Sequence, residues 1–143
     1  VPGVSAAMAG GARLGAPLGH GVDVISLSDM LTPWELIERH WHDGGKADLH
    51  MCLWIPDSEG RKDHLKKACD AILQHKPEET LCAWIRNIGR DGEEWELLTL
   101  GALRDFTADM FTTVFIGNAM TQNINGKMVT PRGYKQPNLE ADA

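Results

Sequence analysis

Between residues 22 and 87 the hydrophobic period of the chain switches repeatedly between two values, and this alternation restricts the possible folds more than any other feature. Residues 22–28 (VDVISLS) alternate and carry β-branched side chains, which predicts a strand. Thr32, Pro33 and Glu35 then read as N-cap, first helical residue and third helical residue of a capping box. Trp34, Ile37 and Trp41 follow on one helical stripe, and Gly44-Gly45 is the predicted stop. Residues 48–55 predict a second strand ended by Pro56, and residues 61–75 an amphipathic helix on Leu65, Ala68, Cys69 and Ile72. Residues 80–87 predict a third strand, turning through Gly89-Arg90-Asp91-Gly92 into a return strand over Glu94–Thr99. Strands separated by helices, followed by hairpin elements, give an α/β sandwich with a mixed sheet of roughly five strands.

Shorter signals fill in the remainder. Residues 5–14 read as a helix with Ser5 as N-cap and Gly15 as C-cap. Gly10 and Gly11 each cost that helix about 1 kcal/mol against alanine, so a close neighbour on that face is expected to require them. A helical turn is expected at 101–106, a strand at 113–117 and another at 127–130. The polar end, residues 135–143, reads as a flexible tail, which leaves 1–134 as a single domain.

Composition excludes several functions. Basic and acidic residues number 14 and 20, so the net charge is −6, which argues against nucleic acid as a partner. No apolar run approaches the roughly 18 residues that span a bilayer, so no membrane partner is expected. Cys52, Cys69 and Cys82 are odd in number and lie in apolar runs, which fits a reducing, cytoplasmic setting rather than a disulfide framework. The chain starts at Val1-Pro2-Gly3 without methionine, which fits a piece of a longer polypeptide or a processed product.

The usual catalytic signatures are missing: GxxxxGK[ST], GxGxxG after a strand, GxSxG and HExxH do not occur. Ser26 and Ser28 have no base placed for them by the sequence, and a polar strand end explains them. His50 and Cys52 share one face of a strand, but two ligands do not make a zinc site, and exposed histidines are the simpler reading. Trp34 and Trp41 read as core. Trp54 and Trp84 lie near the carboxyl ends of strands that look adjacent, where open α/β sheets bind ligands; an aromatic pocket and plain packing are both open. Loops at those ends carry Ser28-Asp29, Pro56-Asp57-Ser58, Arg86 to Arg90 and Gly117-Asn118. Arg86 and Arg90 suit carboxylates, which guanidinium binds bidentately.

The segments PGVSAAMAGGARLGAPLGH, VISLSDMLTPWELIE, IRNIGRDGEEWELLTLG and DMFTTVFIGNAMT with MVTPRGY resemble the tetrapyrrole methylases, the class III S-adenosylmethionine-dependent methyltransferases. Within them they resemble the precorrin-3B C17-methyltransferases, from Val1 to about Tyr134. The resemblance implies the carboxyl-terminal domain of a two-domain enzyme that folds S-adenosylmethionine between its halves and releases S-adenosylhomocysteine. The amino-terminal domain with its GxGPG loop is absent from this chain. It also implies methylation of C17 of a precorrin, with or without cobalt, with ring contraction in cobalamin biosynthesis, and a homodimer. By matching positions, adenine would meet the backbone at Trp54-Ile55, Cys82-Ala83 and Thr112-Thr113. The tetrapyrrole would face Ser28, Asp29, Asn87 and Arg90. No metal ligand and no catalytic side chain is implied, and this chain alone would be inactive. Where the family reads LYNPRS, Ile55 and Asp57 depart from the pattern. Alternatives are a precorrin methylase acting at another carbon and a non-catalytic tetrapyrrole-binding or dimerisation module.

Overall fold

A computed structural model describes residues 1–55 and 63–133. Two sheets and four helices make up the described chain. The elements, in order, are α1 (Ala6–Leu14), β1 (Gly15–Ala16), β2 (Val22–Ser26), α2 (Trp34–Lys46), β3 (His50–Trp54), α3 (His64–Ile72), β4 (Leu81–Arg86), β5 (Glu94–Thr99), α4 (Leu100–Leu103), β6 (Thr112–Ile116), β7 (Gln122–Ile124) and β8 (Lys127–Val129). The main sheet has the order β2-β3-β6-β4-β5, with β2 and β3 parallel and the other neighbours antiparallel. This is the mixed five-stranded α/β sheet that the periodicity predicts. Of the second sheet, β1-β8-β7, the sequence predicts only β8, the strand expected at 127–130; β1 and β7 have two and three residues and carry no alternation to read.

Side chains alternate across the main sheet and divide the core in two. On one face Met51, Leu53, Cys82, Trp84, Val114 and Ile116 pack under Ile37 and Trp41 of α2, Leu65, Ala68, Cys69 and Ile72 of α3, and Leu100 and Leu103 of α4. On the other face Cys52, Ala83, Ile85 and Phe115 meet Ala7 and Leu14 of α1 and Met128 of β8. Gly10 is the contact point of α1. A Cβ there would lie 2.9 Å from two ring carbons of Phe115 and 3.1 Å from Ile88 Cδ1, which supplies the close neighbour that the sequence reading required.

Two helix boundaries differ from the sequence reading. Pro33, in an extended conformation (ψ 138°), holds the N-cap position of α2, and no side chain caps the helix. Thr32 is thus one residue too early to act as the cap. Gly44 and Gly45 do not stop α2; they are buried inside its last turn. A Cβ on Gly44 would come within 3.0 Å of Met51 Cε, and one on Gly45 within 3.3 Å of the His75 ring, so the pair serves close packing of α2 on β3 and on the end of α3. The chain turns instead at Asp48, which adopts a left-handed φ of 52°. Lys76 stabilises that corner. Its buried ammonium donates to Asp48 Oδ1 (2.7 Å) and to the carbonyls of Leu49 and Gly117 (3.0 Å each). The expected tail at 135–143 and the loop Pro56-Asp57-Ser58 lie outside the described residues.

Candidate functional site

Strand direction decides which of the expected residues meet. The carboxyl ends of β2, β3 and β4 and the amino ends of β5 and β6 share one edge of the main sheet. Trp54 pairs with Thr113, Thr113 with Ile85, and Arg86 with Thr112. Ser28 and Asp29 follow β2 at this edge, where the Leu27 amide donates to the Trp54 carbonyl (2.9 Å). Asn87 and Arg90 follow β4, and Ile55 follows β3. Eight of the ten expected site residues therefore lie along one edge.

Cys82 and Ala83 do not join them. They lie near the other end of β4, where Cys82 pairs with Ile116, and their side chains are fully buried. Three residues of strand separate Cys82 from the level of Thr113, or about 10 Å. Gly117-Asn118 is also at the far edge, because β6 runs against β3 and β4. There the Gly117 carbonyl accepts from Lys76.

The tryptophan pocket does not form. β6 separates β3 from β4, and the pairing register puts Trp54 and Trp84 on opposite faces. Trp84 is packed: its ring stacks on Phe106 at 4.7 Å between centroids. Trp54 is 40% exposed, on the face that carries α1.

The edge instead holds a cleft of about 310 Å³ on the α1 face. Val4, Ala6 and Ala9 line one side, Asn87, Ile88 and Arg90 a second, and Met110, Phe111 and Thr113 the floor and third side. Of the expected residues, the cleft brings together Asn87, Arg90 and Thr113. Its small-residue wall was missed because PGVSAA reads locally as a helix start. Ser5 does act as the cap, accepting from the Met8 amide (3.3 Å). The lack of bulk at Ala6 and Ala9, on the same helix as the tightly packed Gly10, is the signal that could have marked this wall.

The loops around the cleft are held by charge. Asn87 has a left-handed φ of 54°, and its amide donates to the Phe111 carbonyl (3.2 Å), joining two walls. Arg86 is not available to a ligand: it pairs with Glu94 (2.8 Å) and Asp109 (3.3 Å). Asp109 in turn accepts from the Phe111 amide (3.0 Å) and the Thr112 hydroxyl (2.9 Å), which shapes the 109–112 turn. Arg90 is exposed and makes no ion pair among the described residues, so its guanidinium can meet a ligand carboxylate. On the opposite face, His64 Nδ1 donates to the Leu27 carbonyl (2.9 Å) and fixes the chain just before Ser28.

Nucleophilic and metal chemistry have little support in the described residues. Burial pushes the Cys52 and Cys69 thiols up to about 12 and Cys82 well above the ordinary thiol range, so all three stay protonated. The Ser26 hydroxyl accepts from the Ser28 amide (3.3 Å). His50 is buried, contrary to the exposed reading, with its ring nitrogens on the Gly21 carbonyl (3.2 Å) and the Thr130 hydroxyl (3.0 Å). Among the described residues, no three His, Cys, Asp or Glu side chains cluster to hold a metal. No helix among the described residues is long and apolar enough to cross a membrane.

Comparison with known proteins places this geometry. The family model of the tetrapyrrole (corrin/porphyrin) methylases matches residues 1–104. The chain belongs to that family. It is 42% identical over 134 residues to a probable cobalt-factor III C(17)-methyltransferase of Salmonella typhimurium, covering 94% of this chain and 56% of that protein. It is 37% identical over 138 residues to a precorrin-3B C(17)-methyltransferase of a Sinorhizobium species, covering 93% and 54%. The solved methyltransferase CobJ superposes with a TM-score of 0.82 at 31% identity, over 91% of this chain and 54% of that one. A Thermus thermophilus uroporphyrin-III C-methyltransferase, solved with S-adenyl homocysteine, shares the fold (TM-score 0.60, 13% identity). The chain spans about half the length of these tetrapyrrole methylases.

Proposed function

We propose that this chain forms the part of an S-adenosylmethionine-dependent methyltransferase that builds one wall of its reaction site, and that the whole enzyme methylates C17 of precorrin-3B or its cobalt form in corrin synthesis. The observation that carries the reading is 37–42% identity, across nearly the whole chain, to proteins named for C17 methylation. The cleft is compatible with it. At about 310 Å³ it is at the lower end of ligand pockets, which suits a half-site completed by chain outside the matched region.

The cofactor supplies an electrophilic methyl group. The chain's residues would hold and orient. Ala6 and Ala9 leave room for a flat group to lie against α1, and Thr113 with Trp54-Ile55 offers backbone at the same level of the sheet. Arg90, Asn87, Ser28 and Asp29 stand along the edge where a macrocycle with a carboxylate rim would lie. Fixing two reactants in line removes much of the entropic barrier, and this needs no nucleophilic side chain. The buried thiols fit that requirement. Cys82 and Ala83 lie further along β4, outside the cleft, with their side chains buried.

Calorimetric titration of S-adenosylhomocysteine tests the half-site. Binding is expected to a protein of the relatives' full length and not to the 143-residue chain alone, which should also transfer no methyl group. Equal binding to both would mean that the cofactor site lies within this chain.

A further inference from the structure

The 87–92 loop and α1 form facing walls of the cleft, and a single side chain is bonded to both. Glu93 Oε1 accepts from Arg13 Nε of α1 (2.6 Å), and its Oε2 accepts from the Gly89 amide in the loop (2.8 Å). The Glu93 side chain is 14% exposed, against 62% for Arg13, so the carboxylate is sheltered between the two walls. Arg13, followed by the Gly89 amide, holds this carboxyl below the usual carboxylate range, so it is charged at neutral pH. Charge-assisted hydrogen bonds of this kind are roughly twice as strong as neutral ones.

The loop's other tie to α1 is apolar: Ile88 packs beside Gly10. Left-handed Asn87, Gly89 and Gly92 (φ 54°, 71° and 79°) make it turn tightly. The Arg90 amide donates to the Asn87 carbonyl (2.9 Å) and the Glu93 amide to the Arg90 carbonyl (3.2 Å). These bonds fix the loop's shape. With Ile88 held against α1, they leave the Gly89-Arg90 end of the loop to be placed by Glu93.

We infer that Glu93 is a positioning residue: by joining the Gly89 amide to Arg13, it sets where the Gly89-Arg90 end of the loop stands against α1, and so the place from which Arg90 meets a carboxylate of the substrate. This rests on the tetrapyrrole reading above. Glu93 touches no substrate. Glu93→Gln keeps the size but offers one acceptor where two donors point, so one of the two polar bonds is lost.

The test uses the full-length enzyme with precorrin-3B and S-adenosylmethionine, comparing wild type, Glu93→Gln and Arg13→Ala. The expected result is a KM for the tetrapyrrole raised about tenfold in Glu93→Gln and less in Arg13→Ala, where the Gly89 bond remains. The KM for S-adenosylmethionine, kcat and the melting temperature should stay near wild type. An unchanged tetrapyrrole KM, or a parallel loss of kcat and both KM values with lowered melting temperature, overturns the inference. Hydrogen exchange on the same proteins separates this from failure of the functional reading. Glu93→Gln should speed exchange of the Gly89 amide at least tenfold while β4 stays protected, whether or not wild type methylates a tetrapyrrole. Unchanged Gly89 exchange overturns the inference even if wild type is active.

Discussion

Gly10 and Gly11 are neighbours in α1, and the packing around them predicts alanine substitutions of opposite sign. In both, replacing glycine by alanine in a helix gains about 1 kcal/mol from reduced unfolded-chain freedom and better propensity. At Gly11 the new methyl group would lie 3.6 Å from Leu18 Cδ1 and 3.7 Å from Pro17 Cγ, ordinary contacts. Gly11→Ala should therefore stabilise by about 0.5–1 kcal/mol. At Gly10 the methyl group would lie 2.9 Å from Phe115 Cε2 and Cζ, and Phe115 is 1% exposed in the middle of the sheet. Carbon atoms prefer about 3.5–4.0 Å, so helix or ring must move by about 0.6 Å or more. Overpacking of that kind costs about 1–3 kcal/mol and outweighs the propensity gain, for a net loss of about 1 kcal/mol. The assay is urea unfolding followed by tryptophan fluorescence, with slopes compared to confirm a common unfolded state. Phe115→Leu should relieve the clash, so the double variant with Gly10→Ala should lose less than the two single losses combined. Stabilisation by Gly10→Ala equal to that of Gly11→Ala would refute the packing of α1 on Phe115.

Other consequences concern charge and burial. Lys76→Met keeps the apolar stem but leaves the Leu49 and Gly117 carbonyls without their donor; a loss of about 2–4 kcal/mol is expected by urea unfolding, and a loss under about 0.5 would contradict the buried tripod. Cys52, Cys69 and Cys82 should resist alkylation in the native state and react fully in denaturant, as a thiol count by mass would show. Their raised pKa values mean that the unfolded chain loses protons first as pH rises, so stability should fall above about pH 8.5, with a slope approaching about 1.4 kcal/mol per pH unit for each thiol. Arg90→Ala in the full-length enzyme should raise the KM for a tetrapyrrole about tenfold or more, the worth of a charged hydrogen bond, with little change for the cofactor.

The main sheet was legible because its signals are long and redundant: the stripe of Trp34, Ile37 and Trp41, the Pro33 start, and apolar runs at 48–55 and 80–87. Strand pairing was not legible. β6 inserts between β3 and β4 although it comes last of the five in sequence, and that choice put Trp84 on the opposite face from Trp54 and Gly117 at the opposite edge. Glycine was read one way where it does two things. At Gly10 the expected close neighbour exists, in Phe115. At Gly44 and Gly45 the same need for close approach kept the helix going where flexibility alone would have ended it. At the site, Asn87 and Arg90 could be placed because they follow a strand end directly. Arg86 looked equally suited to a ligand, but its partners Glu94 and Asp109 come from across the hairpin and from the turn before β6, which no local pattern reveals. Ala6 and Ala9 were missed because a wall made of small residues has no chemical signature of its own.

The central claim is that this chain belongs to a methyltransferase that acts on C17 of a precorrin. Its most direct test is to incubate the full-length protein with methyl-labelled S-adenosylmethionine and precorrin-3B or its cobalt form, and to locate the label by mass and carbon NMR. The account predicts one labelled methyl group at C17. Label at another ring carbon, or none with either substrate, would contradict it.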